Sequence, residues 1–287
     1  MKTQTTTPET RKLEAAPASL RRLDLRKALA DQDGLDELLG TFEPITLAEM
    51  DAVRLMDRSE VKYAMPRGML LPMLAELRPD YRAFVIAGHP WSRYKTLYYD
   101  TDDMKLYMRH HAGATDRYKV RTREYVDSQI AFLEVKHKTS PIHTVKNRIP
   151  VPDAPMDLRG AAADFLADAC PYPAEALHPR LWNYSTRITL VNKNRPERVT
   201  LDIALGFAWG EAAAVVPGIV VAEVKYQGSR HESEFIRLMR KHYVRETSFS
   251  KYCVGVSMLY PEIKHNKFKA KQRLVARLSQ GGNNDLR

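Results

Sequence analysis

Cysteine is almost missing from this chain: Cys170 and Cys253 are the only two in 287 residues. Two cysteines far apart make no disulfide framework and no CxxC metal pair, so two reduced thiols in a cytoplasmic protein are expected. Cys253 follows Tyr252 in an apolar stretch and reads as a small buried hydrophobe. Long apolar runs are missing too. The longest stretch, near residues 212–224, is broken by Pro217, Gly218 and Glu223, so no membrane span is expected. The opening MKTQTTTPETRK has no apolar core of the kind a signal peptide needs. A GxxxxGK[ST] loop is absent, which excludes a standard phosphate-binding loop, and the nine histidines form no HExxH. His110 and His111 read as residues of a surface loop. No internal repeat stands out.

Acid is in short supply relative to base. Lys and Arg number 45 against 35 Asp and Glu, for a net charge of +10. Such an excess suggests a polyanionic partner: nucleic acid, an acidic membrane surface or phosphates. Hydrophobic content of 44% and charged content of 28% are ordinary for a globular chain of one large or two small domains.

Patterning divides the chain into four parts. Residues 1–18, rich in Thr, Pro and Ala, are expected to be a disordered tail. Residues 19–53 carry helical spacing, interrupted at Asp33-Gly34, with a short helix over 47–53 capped by Thr46. The main domain spans 54–260. It begins with a strand over 54–63 and a helix over 66–77, which Pro72 kinks or delays. A strand over 95–100 and a short helix over 103–111 follow. Residues 117–125 and 129–138 alternate as a hairpin. Helix returns in two pieces over 157–177, split by Pro171 and Pro173. Strands are expected over 181–191, 198–207 and 219–226. An amphipathic helix over 231–245 has Phe235, Leu238, Met239 and Tyr243 on its inner stripe. Residues 250–259 are helix or strand. Residues 261–287 form a basic, partly ordered tail.

The stretch RYKVRTREY puts Arg117, Lys119, Arg121 and Arg123 on one face of one strand. The same parity recurs. Glu134, Lys136 and Lys138 share a face, as do Arg187 and Thr189, Arg198, Thr200 and Asp202, and Glu223 with Lys225, mostly over apolar backs. One reading is a solvated outer face, since antiparallel sheets commonly have a wet side. The other is an inner wall. A barrel of about eight strands can enclose one ligand, and cations lining it would need a multivalent anion to offset their desolvation and repulsion. Arg offers phosphate oxygens a bidentate fork and Lys a point charge. Interspersed Glu suits Mg²⁺ or Mn²⁺ bridging the phosphates.

Seven segments then carry a resemblance: RSEVKY, TLYYDT, YKVRTREY, FLEVKHK, RVTLD, AEVKY and FSKYCVG. Their order resembles that of VTC domains, the polyphosphate polymerase domains of the vacuolar transporter chaperone complex and its bacterial relatives, within the triphosphate tunnel metalloenzymes. The resemblance implies an α+β fold, an antiparallel β-barrel tunnel with helices outside. It implies transfer of the γ-phosphate of ATP to inorganic polyphosphate with Mn²⁺ or Mg²⁺. By motif, Lys62 is similar to the nucleotide-phosphate contact, Arg121 and Arg123 to paired phosphate-gripping arginines, and Lys136 to the lysine of the facing strand. Arg187 resembles the arginine of a Tyr-x-Arg strand, Glu223 the metal-binding glutamate, and Lys251 the late lysine near the reacting phosphate. Glu60, Lys119, Glu134, Arg198 and Lys225 are further substrate contacts; Glu60 and Glu134 also read as salt-bridge partners that space the cations. Asp202 reads as orienting Arg198 more than as a metal ligand.

Two departures stand out. Arg58 replaces the first glutamate of the wider family's Glu-x-Glu-x-Lys strand, and Tyr184-Ser185-Thr186-Arg187 displaces the tyrosine. The first weighs against the alternative of a triphosphatase; a module that only binds polyphosphate or nucleic acid is the other alternative. No stable nucleic-acid partner and no transport by this chain alone are expected. The basic tail is a candidate contact for a membrane or partner protein, beside the plainer reading of a solvated tail.

Overall fold

The computed structural model describes residues 33–52, 59–140 and 143–279. The expected tail over 1–18 and Arg58 lie outside them. Helix α1 spans Asp33–Gly40; the residues before it, on which the expected interruption at Asp33-Gly34 depends, lie outside the described ones. Strand β1 (Glu43–Ile45) leads to α2 (Leu47–Ala52). Thr46 starts α2 as a capping box: its amide donates to the Glu49 carboxylate at 2.8 Å and its hydroxyl accepts from Glu49 N at 3.5 Å. Strand β2 (Ser59–Pro66) runs further than expected, and α3 (Leu70–Leu77) starts late, with Pro72 in its first turn where no amide is needed.

Strands β3 (Tyr81–Phe84) and β4 (Trp91–Asp100) precede α4 (Lys105–Ala112). That helix holds His110 and His111, so neither is on a surface loop. His111 is buried and its Nε2 lies 2.6 Å from Asn266 Oδ1. The hairpin of β5 (Arg117–Tyr125) and β6 (Ile130–Lys138) matches expectation, and β7 (Thr144–Val151) extends it. After α5 (Ala161–Ala169) come the long strands β8 (His178–Asn192) and β9 (Glu197–Trp209), then β10 (Ala212–Val216) and β11 (Ile219–Tyr226). Helix α6 (Glu234–Lys241) is shorter than expected. Phe235, Leu238 and Met239 are buried, but Tyr243 is 82% exposed and off the inner stripe. Residues 250–259 resolve as helix: α7 (Lys251–Leu259), capped by the Ser250 hydroxyl. In the tail, α8 (Lys269–Ser279) is ordered.

The strands form one sheet of eleven, whose main path runs β2-β11-β9-β8-β4-β5-β6-β7, antiparallel throughout. Eight of the eleven strands lie on this path, where a closed barrel of about eight strands is expected. Hydrogen-bonded closure into a barrel is not found among the described residues, because the path ends on β2 and β7. The free edge of β2 is instead taken by the segment before α7: Thr247 N donates to Lys62 O at 2.8 Å, and Tyr63 bridges Glu246.

The sheet is nonetheless strongly rolled. Lys136 on β6 and Glu223 on β11 stand five strands apart on the path, about 24 Å if the sheet were flat. Yet Glu223 partly offsets the fall that burial imposes on the Lys136 pKa, which requires the two side chains to be close. The convex side is apolar. Val199, Leu201, Ala222 and Val224 pack under α1, α3 and α6, while Val120, Leu133 and Val135 pack under α5. One end is filled by α7, whose Gly255 lies so close to Leu181 and Phe207 that a Cβ would meet them at 2.6 Å. A glycine there lets the helix seat on β8 and β9.

Candidate functional site

Register decides which charges meet on the concave face. Arg121 stands opposite Glu134. Its Nε and NH2 donate to Glu134 Oε2, each at 2.8 Å, and Lys146 of β7 reaches the other oxygen. Glu134 is 1% exposed. Burial opposes its ionisation, but Arg121, Arg123 and Lys146 hold the carboxyl below the usual range.

Asp202 does not orient Arg198, contrary to expectation. Arg187 faces it directly across β8 and β9. The pair is bidentate, Nε to Oδ1 at 2.7 Å and NH2 to Oδ2 at 2.8 Å, and Lys251 Nζ adds a contact at 2.8 Å. Arg198 lies four residues along the same strand from Asp202, about 13 Å away, and faces Lys225 in the register. Lys251 also donates to Ser185 Oγ at 3.0 Å. Burial brings its pKa down to about 8 despite Asp202.

Glu223 lies between two lysines, Lys62 at 2.6 Å and Lys225. Burial is again opposed, and Lys225 and Lys62 hold Glu223 well below the carboxylate range. Lys62 also contacts Glu60. The Lys62 pKa is lowered first by burial, then by Lys136 and Arg187, with Glu223 opposing. Strands β2, β6 and β8 therefore meet electrostatically in one space.

Other cations there rest on hydroxyls or aromatic rings, although Arg148 stands opposite Glu134 in the register. Lys119 Nζ donates to Ser250 Oγ at 3.2 Å, at the end filled by α7, and burial with Lys136, Arg121 and Arg117 nearby takes its pKa to about 8. Arg123 lies over the Tyr94 ring at 5.3 Å, and its buried Nε has no hydrogen-bond partner. Arg148 lies over Phe132 at 4.4 Å. The buried Thr200 hydroxyl is likewise unpartnered.

Eleven of the twelve candidate residues lie on this face by register, and Lys251 reaches it from the first turn of α7 through Asp202 and Ser185. The structure adds Tyr94, Lys146, Arg148, Ser185 and Ser250. The parity of Tyr94, Thr96 and Tyr98 in β4 carried the signal for Tyr94, whose ring meets Arg123 and Arg187, the latter at 5.0 Å. Tyr184, beside a bulge in β8, packs with the outer apolar cluster.

No group of three or more His, Cys, Asp or Glu among the described residues is placed to hold a metal ion. A cage made of protein alone is therefore not built here. Glu60 and Glu223, however, both reach the Lys62 ammonium. Two carboxylates around one cation suit Mg²⁺ or Mn²⁺ shared with phosphate oxygens, so the donor set fits a metal that arrives with its substrate.

The sequence matches the VTC domain family over residues 57–260. No curated protein matches it. Among solved structures, the chain is similar to a putative adenylate cyclase from Bacillus halodurans (13% identity, 68% of this chain and 96% of that one, TM-score 0.44). It is also similar to a putative adenylyl cyclase from Hippeastrum with a dominant triphosphatase activity (14%, 70% and 96%, 0.46). A third is a putative adenylate cyclase from Vibrio parahaemolyticus (13%, 70% and 99%, 0.42). No helix among the described residues is long and apolar enough to cross a membrane.

Proposed function

Since the chain belongs to the VTC domain family, we propose that it is a phosphotransferase that extends inorganic polyphosphate with the γ-phosphate of ATP inside the rolled sheet. The observation that carries this reading is a row of half-buried cations that make no ion pair among the described residues. Lys119, Arg123 and Lys136 share one face, and Arg123 Nε and Thr200 Oγ1 are buried with no partner. Buried donors and charges ask for an acceptor, and a chain of phosphates supplies anionic oxygens at regular intervals.

Phosphoryl transfer depends on positioning and charge neutralisation more than on covalent help from the enzyme. Arg121, Arg123, Lys136 and Lys119 would hold the oxygens of the growing chain. Lys62, Arg187 and Lys251 would orient donor and terminal phosphate in line. A terminal phosphate oxygen attacks the γ-phosphorus; the new P–O–P bond forms as the bond to the β-phosphate oxygen breaks, and ADP leaves. The attacking oxygen is already anionic, so no side-chain base is required. Glu223, with Glu60, would hold a divalent ion, which when bound neutralises charge on the transferring phosphate. Lys62 and Lys225 would then turn from Glu223 to phosphate oxygens.

The test is incubation of the purified protein with ATP and Mn²⁺, followed by measurement of long-chain polyphosphate and free phosphate. Polymer is the expected product. Free phosphate alone would make the protein a triphosphatase, and neither product would leave a binding module.

A further inference from the structure

Helix α6 ends in a tight reversal: Tyr243 N donates to Arg240 O at 3.0 Å and Val244 N to Met239 O at 2.8 Å. Tyr243 takes a left-handed φ of 55° there, a position that glycine ordinarily fills because a side chain is strained in it. Its ring is 82% exposed and adds nothing to the core. What the ring does border is a cavity of about 420 Å³ outside the rolled sheet, lined by Tyr63, Arg240, Tyr243, Val244, Arg245 and Glu246.

The charge in this cavity is positive. Its one carboxylate, Glu246, is taken by Arg230. Arg240 meets the His231 ring at 3.2 Å, and no carboxylate faces Arg245 among the described residues. Buried Tyr63 forms the floor, and its hydroxyl feels both Arg230 and Arg240. A strained, exposed aromatic ring beside two guanidinium groups is a way to hold a flat ring and a phosphate together, by stacking and by a forked charged hydrogen bond.

We infer that this cavity binds a small phosphorylated ligand with a flat ring, a nucleoside monophosphate in the first instance. The site is also connected to the concave face. Its wall at Glu246 bridges Tyr63, Thr247 N donates to Lys62 O, and the same segment runs on to Ser250 and Lys251.

A fluorescent N-methylanthraniloyl derivative of AMP, titrated into the full chain with saturating tripolyphosphate, tests this. On the function proposed above, tripolyphosphate is held by the concave face, and it carries no ring to stack on Tyr243. The expected result is one equivalent of nucleotide still bound. Binding should weaken at least about tenfold in Arg245→Ala and in Tyr243→Gly, about the worth of a charged or stacking contact. Tyr243→Phe should retain it, and tripolyphosphate affinity should stay unchanged in all three variants. Glycine suits the left-handed position, so Tyr243→Gly is expected to fold. Absence of binding, its loss on adding tripolyphosphate, or equal binding in wild type and both truncated variants would each overturn the assignment.

Discussion

The two halves of the concave face are charged differently. On β2, β11, β9 and β8, cations rest on carboxylates: Lys62 and Lys225 on Glu223, Lys62 also on Glu60, and Arg187 with Lys251 on Asp202. On β5, β6 and β7 a single carboxylate, Glu134, serves Arg121 and Lys146. Lys119 falls back on a hydroxyl and Arg123 on an aromatic ring. A balanced half can exchange partners, releasing carboxylates as phosphate takes their lysines. A surplus half needs an anion to be complete. The division suggests that chemistry occupies the first half and chain binding the second.

The largest effect should follow from Glu223→Gln. If the balanced half performs the transfer, this variant loses about 10²–10³ in kcat, the scale of one displaced charge-stabilising group. It should still bind tripolyphosphate, as titration calorimetry would show. Equal loss of binding would mean that the two halves are not separate. Arg123→Ala comes next and tests the other half. About 10–100-fold weaker tripolyphosphate binding is expected for one charged hydrogen bond lost, with little change in melting temperature, because Arg123 makes no direct ion pair and Arg121 and Lys146 still hold Glu134. Were Arg123→Ala to leave affinity intact and lower only kcat, the surplus half would belong to the chemistry as well.

A smaller effect is expected from pH. Lys119 and Lys251 have pKa values near 8, against 10.5 for a free lysine, because burial disfavours their charged form. Between about pH 8 and 10.5 the unfolded chain therefore carries more protons on these lysines than the folded one. Their contribution to the stability of the empty protein accordingly rises with pH across that window. Phosphate binding should do the opposite, weakening severalfold as pH passes 8 and the lysines lose charge, with proton uptake on binding near that pH. Calorimetry in buffers of different ionisation enthalpy reads the uptake. Affinity unchanged from pH 7 to 9 would remove both lysines from the phosphate site.

Much of this face is legible in the sequence. Alternation in β5, β6 and β11 is uninterrupted and rich in Val, Leu and Tyr, so parity alone assigns Arg121, Arg123, Lys136 and Glu223 to one side. Strand β7 escapes because it is exposed along most of its length and buries little apolar surface, and Lys146 and Arg148 escape with it. The partner of Asp202 escapes for another reason: it depends on register between β8 and β9, which neither strand encodes by itself. Lys251 has no strand parity at all, since it opens a helix behind the Ser250 cap, and only the resemblance of its motif marks it. The exposure of Tyr243 follows from where α6 stops. A hydrophobic stripe gives helical spacing but does not show that the chain reverses two residues past Lys241.

Helix α7 joins the two halves, since Ser250 touches Lys119 in one and Lys251 touches Asp202 in the other. Its seat depends on Asp100, which is fully buried and accepts from the amides of Thr101, Leu106 and Tyr107 at 2.8 Å each, and from the hydroxyl of Tyr252. Tyr252→Phe removes one of these four donors and leaves the ring stacked on Tyr98. About 1 kcal/mol of stability should go with that bond, read as a small fall in melting temperature. Tripolyphosphate affinity should hold within about twofold, since a bond worth about 1 kcal/mol changes an equilibrium less than tenfold even if all of it reached the site. A kcat loss in Tyr252→Phe as large as that of Lys251→Ala would mean that the placement of α7, more than the charge it carries, couples the chain-binding half to the reacting one.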